Sequence, residues 1–252
     1  MSEIFSTPTV KEVIFQIQFS NLLFLDKKIG DYQLKIMEEF PESSEIIQKQ
    51  LMFAVIDNNN IKKQSANEEN EAFQKIWQFN SEKGYTLDIS SNSLSIVSRL
   101  HKTYNNEAGD HKFRDVIKSS VSAFLEKDIA PISVIKRIGL RYVDECPLPE
   151  LLSNDSYSNY YNTSLAFNRF DISKAKDMQF VTNIEKENDI YLRYFESYKE
   201  QKLTIDFDAY KFDIKAENYL DVTDKLYEIV HEEWENTIKE PVKEFMRQPK
   251  EI

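Results

Sequence analysis

Apolar and polar residues alternate along several short segments of the chain, a pattern typical of strands that bury one face. The alternating segments are 10–19, 73–79, 135–146, 179–184 and 191–195. Elsewhere, apolar residues recur every three or four positions, which predicts amphipathic helices. These helical segments are 29–40, 112–127 and 222–239. The pattern therefore predicts a mixed chain in which strands outnumber helices.

Two segments share one arrangement, an apolar pair, four further residues and a second apolar pair. In 86–96 the intervening residues are polar and the apolar parity switches across them, which predicts a β-hairpin with its turn at 90–93. The same spacing recurs in 204–214, and each segment precedes a predicted helix. We therefore predict two related halves, 1–130 and 131–252, each ordered β-(insert)-βββ-α. One continuous domain is the alternative.

The order of the predicted elements also indicates the fold class. Strands joined by hairpins favour antiparallel sheets, and amphipathic helices would cover one face, so we predict an α+β fold. The first half further contains a predicted short strand at 51–56 and a polar, asparagine-rich loop at 57–71. The inserts of the two halves differ, because 26–41 contains a helix whereas 147–175 is long and polar.

The insert at 147–175 is rich in tyrosine, serine and asparagine, a composition that suits adaptable contact surfaces. Its tyrosines Tyr157, Tyr160 and Tyr161 are therefore candidates for binding a partner. Long loops in compact domains are often functional. The equally weighted alternative is a loop that its aromatic rings attach to the core.

Composition narrows the class of protein. The chain is 41% hydrophobic and 13% aromatic, too apolar for a disordered segment. Its net charge of −11 disfavours nucleic acid, whose binding depends on Lys and Arg, and suits a basic partner. Cys146 is the single cysteine, so no intrachain disulfide can form. Without a signal-like start or a long apolar run, we expect a cytoplasmic protein that does not enter a membrane.

Residues 135–146 read IKRIGLRYVDEC and form the most informative predicted strand. Alternation places Ile138, Leu140 and Tyr142 on one face. Arg137 and Arg141 lie on the other face, with a glycine between them. Two guanidinium groups could hold a carboxylate or phosphate, so both residues are candidates for binding an anionic ligand. The favoured explanation is that both pair with acidic side chains on neighbouring strands.

A search for catalytic chemistry finds no established motif. The histidines His101, His111 and His231 lack metal-ligand spacing and are expected to be structural or exposed. Asp206 and Asp208 share a strand face, as paired carboxylates of a metal or acid–base site would, but acidic residues on a wet strand face are the commoner explanation. We expect no catalytic residue, no metal and no cofactor. A solvated helix face is expected for Glu228, Glu232, Glu233 and Glu235.

Two motifs resemble those of a known family. Residues 8–17 read PTVKEVIFQI and residues 137–143 read RIGLRYV. They resemble a sporadically distributed family of uncharacterised bacterial proteins of similar length, with a proline–valine–glutamate–valine strand near the start and a central RIGLRY-type strand. The chain departs from that family at Asp144, where asparagine would be expected. The patchy distribution of such a family implies a mobile or defence-related locus.

We predict from these features a non-enzymatic binding protein of the bacterial cytoplasm, such as an immunity or antitoxin-like or defence-associated factor with a basic protein partner. The alternative is a small-molecule or nucleotide-binding protein or enzyme. It would use a cleft between the two halves, with Arg137 and Arg141 holding an anion. A homodimer whose interface is the 147–175 insert is a third alternative.

Overall fold

The computed structural model describes residues 3–50, 72–101, 103–106, 111–165 and 169–249. Nine antiparallel strands form one sheet in the order β2-β3-β4-β5-β1-β6-β9-β8-β7. The strands are β1 (Val10–Gln18), β2 (Glu42–Gln50), β3 (Ala72–Asn80), β4 (Tyr85–Ser90), β5 (Ser93–Ser98), β6 (Val134–Cys146), β7 (Asp177–Glu185), β8 (Ile190–Lys199) and β9 (Lys202–Lys215). The helices are α1 (Ile29–Ile36), α2 (Phe113–Phe124), α3 (Asn154–Tyr160), α4 (Tyr219–Thr237) and α5 (Glu240–Arg247). The predicted α+β class with an antiparallel sheet is confirmed.

The centre of the sheet is the pair formed by β1 and β6, with Phe15 opposite Leu140. On one side follow β5, β4, β3 and β2, and on the other follow β9, β8 and β7. The flanks therefore hold four and three strands, and the strands of each flank precede one long helix in the chain, α2 or α4. Because β1 pairs with β6 directly, the two predicted halves share a continuous sheet.

The alternating side chains separate a buried face from an open one. Val13, Phe15 and Ile17 of β1 are fully buried, as are Ile138 and Leu140 of β6. Rings of the helices contact this face, including Phe113 of α2 on Tyr85 and Tyr227 of α4 on Tyr142. The opposite side of the sheet, called the open face below, carries side chains such as Gln16 of β1 and Arg141 of β6 that solvent reaches.

The hairpin predicted at 86–96 is confirmed, since Ser90 and Ser93 pair at the end of β4 and β5. The same spacing at 204–214 does not form a second hairpin, because β9 is one strand that pairs with β6 and β8 along its length. Its four middle residues continue the alternation, with Ala209 fully buried and Tyr210 on the open face. Without turn residues at that point, the chain has no reason to reverse.

The first half also contains a strand that the sequence does not predict. Strand β2 reads ESSEIIQKQ and pairs with β3, but its apolar residues Ile46 and Ile47 are adjacent rather than alternating. The strand predicted at 51–56 and the loop predicted at 57–71 lie outside the described residues.

Candidate functional site

The open face holds a network of arginine and aspartate across three strands. Arg141 of β6 donates to both carboxylate oxygens of Asp206 on β9, at 2.8 Å from Nε and 2.6 Å from Nη2. Arg193 of β8 reaches the same carboxylate from the other side at 3.4 Å. Arg137 donates to Asp208 at 3.0 Å. The two candidate arginines are therefore both engaged by carboxylates of β9.

The acidic side of this network is buried and its basic side is partly exposed. The Asp206 side chain is only 2% exposed, and the guanidinium groups of Arg141 and Arg193 supply its ion-pair partners. The hydrogen bonds to Asp206 raise the pKa of Arg141, while burial is the main cause that raises the pKa of Asp208. The favoured sequence explanation, cross-strand ion pairs, matches these contacts.

Gly139 leaves room for one of these guanidinium groups. A Cβ atom at position 139 would lie 2.8 Å from Nη1 of Arg137, closer than side chains approach one another. The same guanidinium lies 4.6 Å from the ring centre of Tyr210, a cation–π distance. The glycine in the RIGLRY motif therefore lets Arg137 lie flat between Asp208 and the tyrosine.

Replacing Gly139 by alanine should displace Arg137 and lower the free energy of unfolding by about 1–2 kcal/mol, because a partly buried ion pair and a ring contact are lost. Chemical denaturation would measure this. In an Arg137→Ala background the same Gly139→Ala change should cost almost nothing, since the guanidinium group that the new Cβ atom would meet is absent. An equal cost in both backgrounds would contradict the role given to Gly139.

Beside the arginines lies an aromatic patch formed by Tyr191, Tyr210 and Phe212. Tyr191 and Tyr210 stack with ring centres 5.6 Å apart, and Phe212 meets Tyr210 edge-on at 5.4 Å. Phe212 is 48% exposed. Because Arg137 contacts Tyr210 on the same face, aromatic and guanidinium groups form one continuous surface.

The insert tyrosines are placed differently from the prediction. Tyr157 of α3 is fully buried and Tyr161 is 1% exposed, so neither side chain is available at the surface. Tyr161 donates to the carbonyl of Pro147, and Tyr160 is half-buried against the core. The contacts favour the alternative in which aromatic rings attach the insert to the core, and the burial of Tyr157 and Tyr161 speaks against both as partner-binding residues.

The attachment point of the insert is Glu196, a fully buried glutamate on the helix-covered face of β8. Four groups donate hydrogen bonds to its carboxyl group. They are the hydroxyls of Tyr157, Thr163 and Tyr194 and the backbone amide of Ser164. Three of these donors belong to the insert, so one buried carboxyl group holds the segment against the sheet.

Asp144 is a second buried carboxyl group, on the helix-covered face of β6. Its Oδ1 accepts a hydrogen bond from Thr9 at 2.6 Å, while no donor of the described residues meets hydrogen-bond geometry at Oδ2. Burial raises the pKa of Asp144 to about 6, although Thr9 and the nearby Trp234 indole oppose the rise. Cys146, two positions on, is also buried, and burial raises the pKa of its thiol well above the usual value.

A pocket of about 100 Å³ lies on the same face, where the N-terminal segment, β6, α4 and α5 meet. Aromatic and imidazole rings dominate its lining, which includes Phe5, His101, Tyr104, Tyr142, Tyr227 and Trp234. Residues of both predicted halves contribute to it. The pocket is therefore a cleft between the halves, but it does not contain Arg137 or Arg141.

The histidines do not form a metal site within the described ranges, where no group of three His, Cys, Asp or Glu could hold a metal ion. His101 and His231 both line the pocket, and His111 is exposed. Of the acidic helix residues, Glu228 and Glu232 are exposed, whereas Glu233 pairs with Lys186. In the part of the chain described here, no helix is long and apolar enough to cross a membrane.

The described residues define an α+β protein built on one nine-stranded antiparallel sheet with an aromatic and arginine-rich open face. No protein-family model matches the chain, and a comparison with curated proteins finds no significant match. The resemblance of residues 8–17 and 137–143 to a sporadic bacterial family therefore stays a prediction.

Proposed function

We propose that this protein is a non-enzymatic binding protein that contacts a protein partner through the aromatic patch and the adjoining arginines of the open face. The observation that carries the proposal is the grouping of Tyr191, Tyr210 and Phe212 with Arg137 on a face that solvent reaches. Tyrosine and arginine are the residues that most often dominate binding energy at protein interfaces.

The arrangement also supports binding because it is already ordered. Arg137 is fixed by Asp208, and Arg141 and Arg193 are fixed by Asp206. Side chains that are rigid before association lose less conformational entropy on binding. By contrast, the alternative anion site at Arg137 and Arg141 has less support, since their guanidinium groups already have carboxylate partners.

Charge favours a basic partner, as expected from the sequence. The support is the net charge of −11, which attracts a basic partner at long range. The exposed acidic residues Asp221, Glu228, Glu232 and Glu235 lie on α4, which packs on the other face of the sheet and is not part of the proposed contact. Complementary charge speeds association and makes it sensitive to salt. An immunity or antitoxin-like factor of a bacterial cytoplasm is the particular form of the proposal, and the resemblance to a sporadic bacterial family is its only further support.

A capture experiment with matched variants tests the proposal. We expect the wild-type protein to recover one stoichiometric basic partner from an extract of its host. A Tyr210→Ala, Phe212→Ala variant should bind that partner roughly 30-fold or more weakly, as for interface hot spots. The control replaces Leu151 and Phe170 by serine, since these residues are exposed apolar side chains outside the patch.

Recovery of the same partner by wild-type and patch variant with equal affinity would overturn the proposed surface. Failure to recover any stoichiometric partner would count against a binding protein altogether. Light scattering of the purified protein would show whether the partner is a second copy of the chain.

A further inference from the structure

The pocket between the N-terminal segment and α4 has the size of a single small molecule. Its volume is about 100 Å³, against roughly 150 Å³ for an enclosed apolar cavity that admits benzene, and it is partly open to solvent, so a single ring can enter with one edge exposed. Rings supply most of its walls. Tyr104 stacks on Tyr227 with centres 4.2 Å apart, and Tyr227, His231 and Trp234 continue as a row of nearly parallel rings along α4.

The walls present little net charge. Among the described residues that line the pocket, Glu3 is the only Asp, Glu, Lys or Arg, and Arg247 neutralises it with hydrogen bonds of 2.8 and 2.9 Å. Burial lowers the pKa of His101 to about 4, so its imidazole is uncharged at neutral pH. A charged ligand would lose its hydration on entry without gaining a free counter-charge from these walls.

Polar groups interrupt the apolar lining, among them the pair formed by Tyr142 and His101. The Tyr142 hydroxyl and Nε2 of His101 are 3.4 Å apart, longer than a well-formed hydrogen bond between oxygen and nitrogen. His101 is held edge-on between Phe113 and Tyr142, which fixes the position of its ring. A ligand hydroxyl can donate to or accept from either group, so this pair can orient a small alcohol or phenol.

We propose that the pocket is a binding site for an uncharged, single-ring aromatic molecule that carries one hydroxyl group, which Tyr142 and His101 would hydrogen-bond. The site is separate from the aromatic patch of the open face, and the proposal does not depend on a protein partner.

Three probes of similar size and different charge test the ligand class: benzyl alcohol, benzylammonium and benzoate. Calorimetry should show benzyl alcohol binding with one-to-one stoichiometry and the two charged probes binding at least tenfold more weakly. Toluene, which lacks the hydroxyl, should bind roughly fivefold more weakly than benzyl alcohol.

The location is tested by fluorescence. The chain has two tryptophans, so a Trp77→Phe variant leaves Trp234, in the pocket wall, as the sole indole reporter. Benzyl alcohol should change its emission with the same saturation curve that calorimetry gives. If calorimetry shows a heat of binding but the Trp234 emission does not change, benzyl alcohol binds elsewhere and the proposed site is overturned.

The polar pair is tested with Tyr142→Phe, which keeps the ring and removes the hydroxyl. We expect benzyl alcohol to lose its advantage over toluene, while the affinity for toluene stays the same and shows that the pocket is intact. The proposal is contradicted if the charged probes bind as tightly as benzyl alcohol or if benzyl alcohol shows no saturable binding. It is also contradicted if Tyr142→Phe still binds benzyl alcohol more tightly than toluene by the wild-type factor.

Discussion

Replacing Glu196 by alanine is expected to lower the free energy of unfolding by about 3–5 kcal/mol. The change removes the acceptor that the hydroxyls of Tyr157 and Tyr194 and the amide of Ser164 share, and it opens a cavity at a fully buried position. Breaking a buried polar network by removing its central member costs more than a single hydrogen bond. Denaturation followed by circular dichroism would measure the loss.

Two controls separate the network from its surroundings. Tyr157→Phe removes one of the four donors and should cost only about 1 kcal/mol. Glu185→Gln, on exposed edge strand β7, should leave stability within about 0.5 kcal/mol of wild type. We also expect Glu196→Ala to make the insert at 147–175 sensitive to protease. If Glu196→Ala is no less stable than Tyr157→Phe, the carboxyl group does not hold the insert.

Asp144→Asn is expected to stabilise the protein at neutral pH, by about 2 kcal/mol. The carboxyl group is fully buried and its pKa is raised from 3.8 to about 6, mainly by burial. Below pH 3.8 the Asp144 carboxyl group is protonated in both the folded and the unfolded state. Between the two values only the folded state holds the proton, so stability falls as pH rises through this window, by up to about 3 kcal/mol. Asparagine carries no charge and avoids this loss.

The amide can keep the contact with Thr9, because a hydroxyl accepts as well as donates. The free energies of unfolding of wild type and variant should therefore converge as the pH is lowered from 7 to 4. Taking the difference between the two proteins removes the contribution of all other titrating groups, which they share. A variant that is less stable than wild type at pH 7, or a difference that does not change with pH, would contradict the assignment to Asp144.

Much of the fold could be predicted because alternation is a local property. Strands β1 and β6 and the hairpin of β4 and β5 follow from it, and so does the placing of Arg137 and Arg141 on one face. The different outcome at β9 has the same origin, since apolar spacing alone cannot distinguish a turn from a continued strand when one middle residue, Ala209, is small and buried. Adjacent apolar residues in β2 gave no periodic signal at all.

The buried carboxyl groups could not be predicted with equal ease. Glu196 shares the buried face of β8 with Leu192 and Tyr194. A glutamate at a position where alternation predicts a buried side chain is the one sign in the sequence that this carboxyl group is buried. Its donors, however, come from the irregular insert, where side-chain directions follow no period. For the same reason the sequence left two alternatives open for Tyr157 and Tyr161, a contact surface or attachment to the core. The pocket depends on His101 and Trp234, which lie far apart in the chain and meet only in the folded protein.

The central position of β1 has a consequence for how the chain folds. Its partner β6 follows roughly 130 residues later, as Val13 opposite Tyr142 illustrates. During synthesis, β1 to β5 can associate while one side of β1 still lacks its neighbour, leaving an unpaired strand edge that invites association with other chains. The backbone contact from Thr7 to Met246 forms later still. Pairings of such long range predict slow folding, and a dependence on chaperones before β6 leaves the ribosome.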